Sequence, residues 1–319
     1  MSRSLRGPDP LPARTTGGGY TGAMDAGAAY LFSTNGALLT TFSNPTPATG
    51  ELFGYAVAAL GSDRVLIGKP NDATGVGGAG VVYLFSTNGA LLMTLTNPTP
   101  VNSDHFGWSV AAVGSDQVLI GTPFNDMGAD AAGIAYLVST NGTLLTTFTN
   151  PAPTAEDLFG WSVAAIGTDK VLIGAHGDKT GASTAGAAYL FSASGALLTT
   201  FTNPTPANLD EFGYSVTAVG ADMVLIGAHF DDTSSGNAGV AYLFSAVQSP
   251  SLDIYLTSTN TVALSWPSAL TDWMLQQNTN TVSSLNWSNV TNGIEVNGAT
   301  KTFVVNPPTG NRFYRLSKP

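Results

Sequence analysis

The sequence predicts an all-β fold: a β-propeller of 53-residue, four-stranded blades followed by a small β-sandwich-like unit. Three observations carry that prediction. The text FGYAVAALGSDRVLIGKPND beginning at Phe53 restarts at Phe106, Phe159 and Phe212, a period of 53 residues without insertion. Such a period marks a repeat array or propeller. Charged residues make up only 10% of the 319, and 37 are glycine, the profile of a turn-rich β protein. Each repeat also divides into four short apolar runs bounded by turn residues.

The copy beginning at Phe106 shows the runs as FGWSVAAVG, QVLIGTP, GIAYLVS and TLLTTFT. Gly114-Ser115-Asp116 joins the first pair and Thr140-Asn141-Gly142 the second. Asn-Gly accepts positive φ at both positions and signals a hairpin. Four antiparallel strands in ~40–50 residues make one propeller blade, whereas a solenoid of parallel coils has shorter repeats without paired hairpins. The third run occurs five times, at Tyr30, Tyr83, Tyr136, Tyr189 and Tyr242, and the others four times. Four complete blades are therefore expected, or five with one incomplete. The N-terminal fourth strand is available to complete the last blade and close the ring, which would remove exposed strand edges.

Residues 1–19 do not match the repeat and are expected to be unstructured. They hold Arg3, Arg6 and Arg14 of the eleven basic residues but no apolar stretch of the kind a signal peptide needs. They read as a start part-way through a longer array. Residues 20–247 form the repeat region and 248–250 a linker. Residues 251–319 form a second all-β unit, with Trp266, Trp273 and Trp287 as its expected core.

The pairing of Phe-Gly with a later Gly-x-Pro after a Val-Leu-Ile strand resembles the FG-GAP repeat. The first element falls at Phe53-Gly54, Phe106-Gly107, Phe159-Gly160 and Phe212-Gly213. The second reads Gly68-Lys69-Pro70 and Gly121-Thr122-Pro123, then Gly174-Ala175-His176 and Gly227-Ala228-His229. The resemblance covers residues 20–247 and implies a propeller like that of integrin α chains and bacterial surface proteins. It also implies a secreted or cell-surface protein that works by binding or adhesion. Some family members carry a calcium loop, Asp-x-Asp-x-Asp-Gly, between the two elements. Here residues 60–63, 113–116, 166–169 and 219–222 each bring a single carboxylate, short of the roughly six to eight oxygens calcium takes. No metal and no cofactor are expected. Residues 251–319 resemble fibronectin type III-like modules of bacterial exported proteins through LSWP, Trp287 and FYRL.

A net charge of −10 argues against a nucleic-acid partner, since phosphates need cationic contacts. No cysteine means no disulfide and no thiolate metal site. No apolar run reaches the length of a membrane span. In an up-and-down blade, the loops between second and third strands and those between blades emerge at one end. The first set carries Asp72, Asp126, Asp130, Asp178, Asp231 and Asp232. The second carries Glu51, Asp104, Glu156, Asp157, Asp210 and Glu211. That end is expected to be acidic and, together with His229, to hold the ligand; the plainer alternative is that these acids are merely solvated. His176 and His229 occupy equivalent places on different blades, too far apart to share an ion, so only His229 with Asp231 and Asp232 would make a local cluster. Tyr55, Trp108, Trp161 and Tyr214 share one repeat position and are expected to pack between blades rather than stack on sugars. No nucleophile with a neighbouring base is visible, so no catalytic residue is assigned.

These features describe a monomeric, non-catalytic extracellular binding protein that recognises a protein or glycan through its loops. Two alternatives stand beside it. One is a carbohydrate-active hydrolase or lyase using loop carboxylates; the other is a structural spacer or incomplete array without its own ligand.

Overall fold

The computed structural model describes residues 3–6, 25–73, 75–233, 235–246, 252–258, 261–268, 273–279, 286–298, 300–305 and 312–317. Their regular elements are all β-strands. The expected linker, 248–250, and most of residues 1–19 lie outside them. The chain separates into two compact units, Met1–Val247 and Gln248–Pro319.

In the first unit the repeats become antiparallel sheets, here called blades, with strands paired in chain order. Blade 2 comprises Val57–Leu60, Arg64–Lys69, Val81–Ser86 and Leu91–Thr96. Blade 3 comprises Ser109–Val113, Gln117–Thr122, Ile134–Ser139 and Leu144–Thr149. Blade 4 comprises Ser162–Ile166, Lys170–Ala175, Ala187–Ser192 and Leu197–Thr202. The second and third strands read as almost continuous apolar runs because both faces are covered, and each buries five of six residues in these blades. The fourth strands keep one buried position near their end and leave the rest exposed or half-buried. A register shift falls at the same point of every third-to-fourth pairing, after Leu31, Leu84, Leu137 and Leu190. Such bulges bend the outer strand and increase its twist.

Among the described residues the outer two blades have three strands each. Blade 5 comprises Phe212–Val219, Met223–Ala228 and Val240–Ser245. Blade 1 comprises Arg3–Arg6, Ala28–Ser33 and Leu38–Ser43. Leu38–Ser43 pairs with its own neighbour Ala28–Ser33, and so does not complete blade 5. Arg3–Arg6 departs from the expectation of an unstructured N-terminus. Arg3 faces Ser33 just as Arg64 faces Ser86, so this stretch takes the second-strand place without the repeat's text. Main-chain pairing asks for an extended backbone and not for a side-chain motif.

Successive blades pack face to face around one phenylalanine each. Between blades 2 and 3, Phe106 is sealed among Leu66, Val82 and Leu84 on one side and Ile120, Ile134 and Tyr136 on the other. Phe53, Phe159 and Phe212 fill the same place at the other junctions, and all four are fully buried. The following glycine lies against the backbone of the preceding blade. A Cβ on Gly121 would stand 1.9 Å from the Gly160 carbonyl oxygen, and on Gly174 2.1 Å from that of Gly213. The first strands of neighbouring blades are packed on one another. This converges the innermost strands of the array.

The second unit is built from two sheets. One orders Asp253–Leu256, Val262–Pro267, Thr300–Val305 and Ile294–Asn297; the other orders Ser288–Asn289, Met274–Asn278 and Phe313–Ser317. Leu264, Trp266, Leu275 and Val305 form the buried centre. Of the three expected core tryptophans only Trp266 is there. Trp273 and Trp287 are half-buried, and the Arg315 guanidinium lies 4.3 Å from the centre of the Trp287 ring. A cation over an indole face keeps that ring at the wet edge of the core.

The junction geometry makes a sharp prediction. Gly121→Ala puts a methyl group into a backbone carbonyl and is expected to cost on the order of 3 kcal/mol in denaturant unfolding. An unchanged midpoint would mean that the blades do not meet as closely as described.

Candidate ligand site at the loop end

The acidic loops do not form the solvated face that their composition suggests. Asp72, Asp104, Asp157, Asp178, Asp210 and Asp231 are buried, as is Glu51. Asp126, Asp130, Glu156 and Asp232 are exposed, and Glu211 and His229 are intermediate. A buried carboxylate must be met by donors or by a cation. The donors come from an asparagine that sequence reasoning passed over.

Each loop between blades opens with Asn-Pro, at Asn44, Asn97, Asn150 and Asn203, all buried. The side-chain oxygen of each accepts the backbone N–H two residues on, at 3.0 Å in every copy. Its amide nitrogen donates to the carboxylate seven residues on: Glu51 at 3.0 Å, Asp104 at 2.8 Å, Asp157 at 2.8 Å and Asp210 at 2.7 Å. The same carboxylate accepts the backbone N–H of Ala48, Val101, Thr154 or Ala207 at 2.6–2.8 Å. The signal was present as an Asn-Pro and an acid seven residues apart, recurring at the repeat period.

The clamp then reaches the loop between second and third strands of the next blade, differently at each junction. At the first, Lys69 Nζ stands 2.7 Å from Glu51 and 2.6 Å from Asp72, with no side-chain exposure. Burial alone lowers the pKa of the Lys69 ammonium, but the bonds to Asp72 and Glu51 outweigh it and hold the pKa above its ordinary value. At the second, Asn125 donates to Asp104 at 3.0 Å, and burial raises the Asp104 carboxyl. At the last, Asn203 bridges Asp210 and Asp231 at 2.7 and 2.9 Å, and the Tyr242 hydroxyl donates to Asp231 at 2.7 Å. Burial would raise Asp231, but bonds from Thr233, Tyr242 and Asn203 hold it below the usual range. Burial and a 2.6 Å bond to Asp178 push the Tyr189 hydroxyl far above its ordinary value. These acids are structural.

What the loop end presents instead is aromatic. The residue before each junction phenylalanine, Leu52, His105, Leu158 or Glu211, has φ between 54° and 60°. Its carbonyl accepts the N–H of Tyr55, Trp108, Trp161 or Tyr214 three residues on. This tight left-handed turn aims the four aromatics along the inner rim. Ring centres are 4.5 Å apart for Tyr55–Trp108, 4.7 Å for Trp108–Trp161 and 5.5 Å for Trp161–Tyr214. The rings thus meet across the junctions as expected, but outside the apolar clusters, with Tyr55 40% and Tyr214 37% exposed. Phe124 stands edge-on to Trp108 at 5.2 Å, and Phe230 lies beside His229 at 3.9 Å.

The two histidines are closer than their separate blades suggested. His176 Nε2 is 3.9 Å and His229 Nδ1 3.5 Å from the same Glu211 oxygen, and His176 packs beside both Trp161 and Tyr214, at 4.3 and 5.2 Å. They converge because both second strands end at this inner rim. The grouping of His229 with Asp231 and Asp232 takes a different form: Asp231 is drawn inward to Asn203 and Tyr242, while Asp232 is exposed. Among the described residues no three histidine or acidic side chains group closely enough to hold a metal ion, and no helix is long and apolar enough to cross a membrane.

The family model described as FG-GAP repeat matches residues 93–138, 147–191 and 200–244, so the chain carries FG-GAP repeats in three tandem copies. No curated protein matches. Similar solved structures include BBS1N in complex with ARL6DN, soaked with lead: 11% identity, TM-score 0.41, covering 76% of this chain and 69% of that one. BamB from Moraxella catarrhalis is 16% identical with a TM-score of 0.36, covering 77% and 65%. A eukaryotic initiation factor is 10% identical with a TM-score of 0.32, covering 57% and 41%. The match to each of these last two spans less than two thirds of that chain's own length.

The buried imidazole gives the site a pH signature. Burial, then the nearby His229, lowers His176 from 6.5 to about 4. The unfolded chain therefore binds the proton first as pH falls. The contribution is complete above pH 6.5 and is lost toward pH 4, about 3 kcal/mol in all. Glu211, raised mainly by burial, works in the opposite sense. The melting temperature is expected to fall between pH 6.5 and 4.5, and to fall less in His176→Phe, which keeps the ring stack. Equal pH dependence in the two proteins would contradict the assignment.

Proposed function

We propose that this chain, with its FG-GAP repeats, is a non-catalytic binding protein whose ligand is a glycan taken at the aromatic rim of the loop end. One observation carries the reading: four aromatic rings, one per repeat, run as a continuous row with both outer members partly exposed. A row of ring faces and edges suits the apolar faces of successive sugars, and the polar tips of Tyr55 and Tyr214 suit their hydroxyls. Exposed Asp126, Asp130, Glu156 and Asp232 stand on loops at the same end and add acceptors for hydroxyl groups.

The carboxylate pairs argue for binding over hydrolysis. A glycosidase needs two carboxyl groups that reach the scissile bond, and the close pairs Asp157–Asp178 and Asp210–Asp231 are buried and bound to Asn150, Asn203 and tyrosine hydroxyls. The row of rings likewise favours a ligand of the chain's own over a mere spacer. A secreted or cell-surface location accords with such a ligand and is part of the proposal.

Tryptophan fluorescence tests it directly, because Trp108 and Trp161 are the middle of the row. Titration with chito-, cello- and xylo-oligosaccharides of four to six sugars is expected to give saturable quenching with at least one of them. Trp108→Ala is expected to weaken that binding about tenfold, roughly 1.4 kcal/mol. Silence across all three series, or binding indifferent to Trp108→Ala, would overturn the reading.

A further inference from the structure

Blade 5 keeps, on the side away from blade 4, the features by which earlier blades receive a successor. Gly68, Gly121 and Gly174 are glycines because a Cβ there would lie 2.2, 1.9 and 2.1 Å from the carbonyl oxygen of the next blade's Phe-Gly glycine. Gly227 is the fourth copy, and a Cβ on it would meet only Ser215 of its own blade. Gly80, Gly133 and Gly186 pass within 2.2 Å of the next phenylalanine's carbonyl by the same construction, whereas Gly239, their counterpart, faces His229. Ser109 and Ser162 donate to the carbonyls of Gly160 and Gly213 at 2.8 and 2.7 Å, and Ser215 holds the corresponding place. The apolar part persists too. Leu84, Leu137 and Leu190 are at most 3% exposed, while Leu243 is 56% exposed; Leu66, Leu119 and Leu172 are buried, while Leu225 is half-exposed.

We propose that this face docks a Phe-Gly-led strand of another polypeptide, an FG-GAP blade whose Phe-Gly no preceding blade has engaged. The three internal junctions state the chemistry of the occupant. Its phenylalanine lies on Leu225 and Leu243 as Phe106 lies on Leu66 and Leu84, its glycine carbonyl lies over Gly227 within reach of the Ser215 hydroxyl, and its strand continues along the first strand of blade 5. No Phe-Gly within residues 1–319 is free to be the occupant. After Phe212 the sequence contains no further Phe-Gly. The four that exist are each held by the blade before them, through bonds from Phe53, Phe106, Phe159 and Phe212 N–H to the carbonyls of Ala26, Ala79, Ala132 and Ala185. A second copy in this fold therefore has no Phe-Gly to lend. Such one-way complementarity makes a heterologous contact, not a two-fold one.

The probe is a fluorescein-labelled peptide with the sequence of residues 150–175, titrated against the full chain and read by anisotropy. Saturable one-to-one binding is expected. Gly227→Ala, which places a methyl where the incoming carbonyl must lie, and Leu243→Asp are each expected to weaken it at least tenfold, as is Phe159→Ala in the peptide. Leu243→Asp is expected to melt as the parent does, since Leu243 is already exposed, and Gly227→Ala to melt close to it, since the added Cβ, 2.4 Å from the Ser215 hydroxyl oxygen, asks only that this side chain turn away. No saturable binding, binding indifferent to Gly227 and Leu243, or self-association of the chain that the peptide fails to compete away would each overturn the proposal.

Discussion

A carboxylate buried in a loop has to find its donors within reach of that loop, and the loop end of this protein is shaped by that requirement. Four times the chain answers it in the same way, with an asparagine seven residues upstream and a backbone N–H three residues upstream of the acid. A loop rich in proline and threonine has little apolar surface with which to hold itself. Satisfied polar bonds in a dry site do that work, because breaking one leaves a buried charge short of a donor.

The clamp also governs the next few residues of the chain. Immediately after the acid comes a residue in left-handed backbone conformation, costly for Leu52, His105, Leu158 and Glu211, none of them glycine. The cost is tolerated because the clamp fixes the chain before it and the buried phenylalanine fixes the chain after it. Between those anchors the turn delivers one aromatic side chain per blade to the inner rim. The first junction shows the same problem solved with a cation. Lys69 stands where Thr122, Ala175 and Ala228 stand in the later repeats, and it faces two acids, whereas the last junction faces two acids with Asn203 and Tyr242 instead. Buried ion pairs and neutral donors are alternative ways of keeping such a pair from repelling.

Much of this was legible in the sequence. The 53-residue period, the hairpin signals and the unbroken apolar second and third strands announce the blades, since covered faces require apolar residues wherever they occur. The fate of the acids was not legible, because an aspartate in a loop carries no mark of burial until its partner is known. Asn44, Asn97, Asn150 and Asn203 read as turn residues before Pro, and their long-range role appears only when the acid seven residues on is seen to fold back. The approach of His176 to His229 was likewise hidden by their separation along the chain, for sequence distance says little where inner strands converge. Arg3–Arg6 escaped notice because strand pairing draws on the backbone alone. Trp273 and Trp287 were misplaced because an aromatic beside a sheet packs as readily at its edge, as Trp287 does under Arg315, as in its centre.

The most direct test of the clamp is hydrogen exchange at the backbone amides of Ala48, Val101, Thr154 and Ala207, which donate to the four buried carboxylates. They lie in loops without regular structure, so any strong protection has to come from those bonds. Protection approaching that of the central-strand amides of Val118 and Val171 is the expected result. Exchange at the rate of an open peptide would show that the carboxylates do not hold the loops, and the account of the loop end built on them would fall.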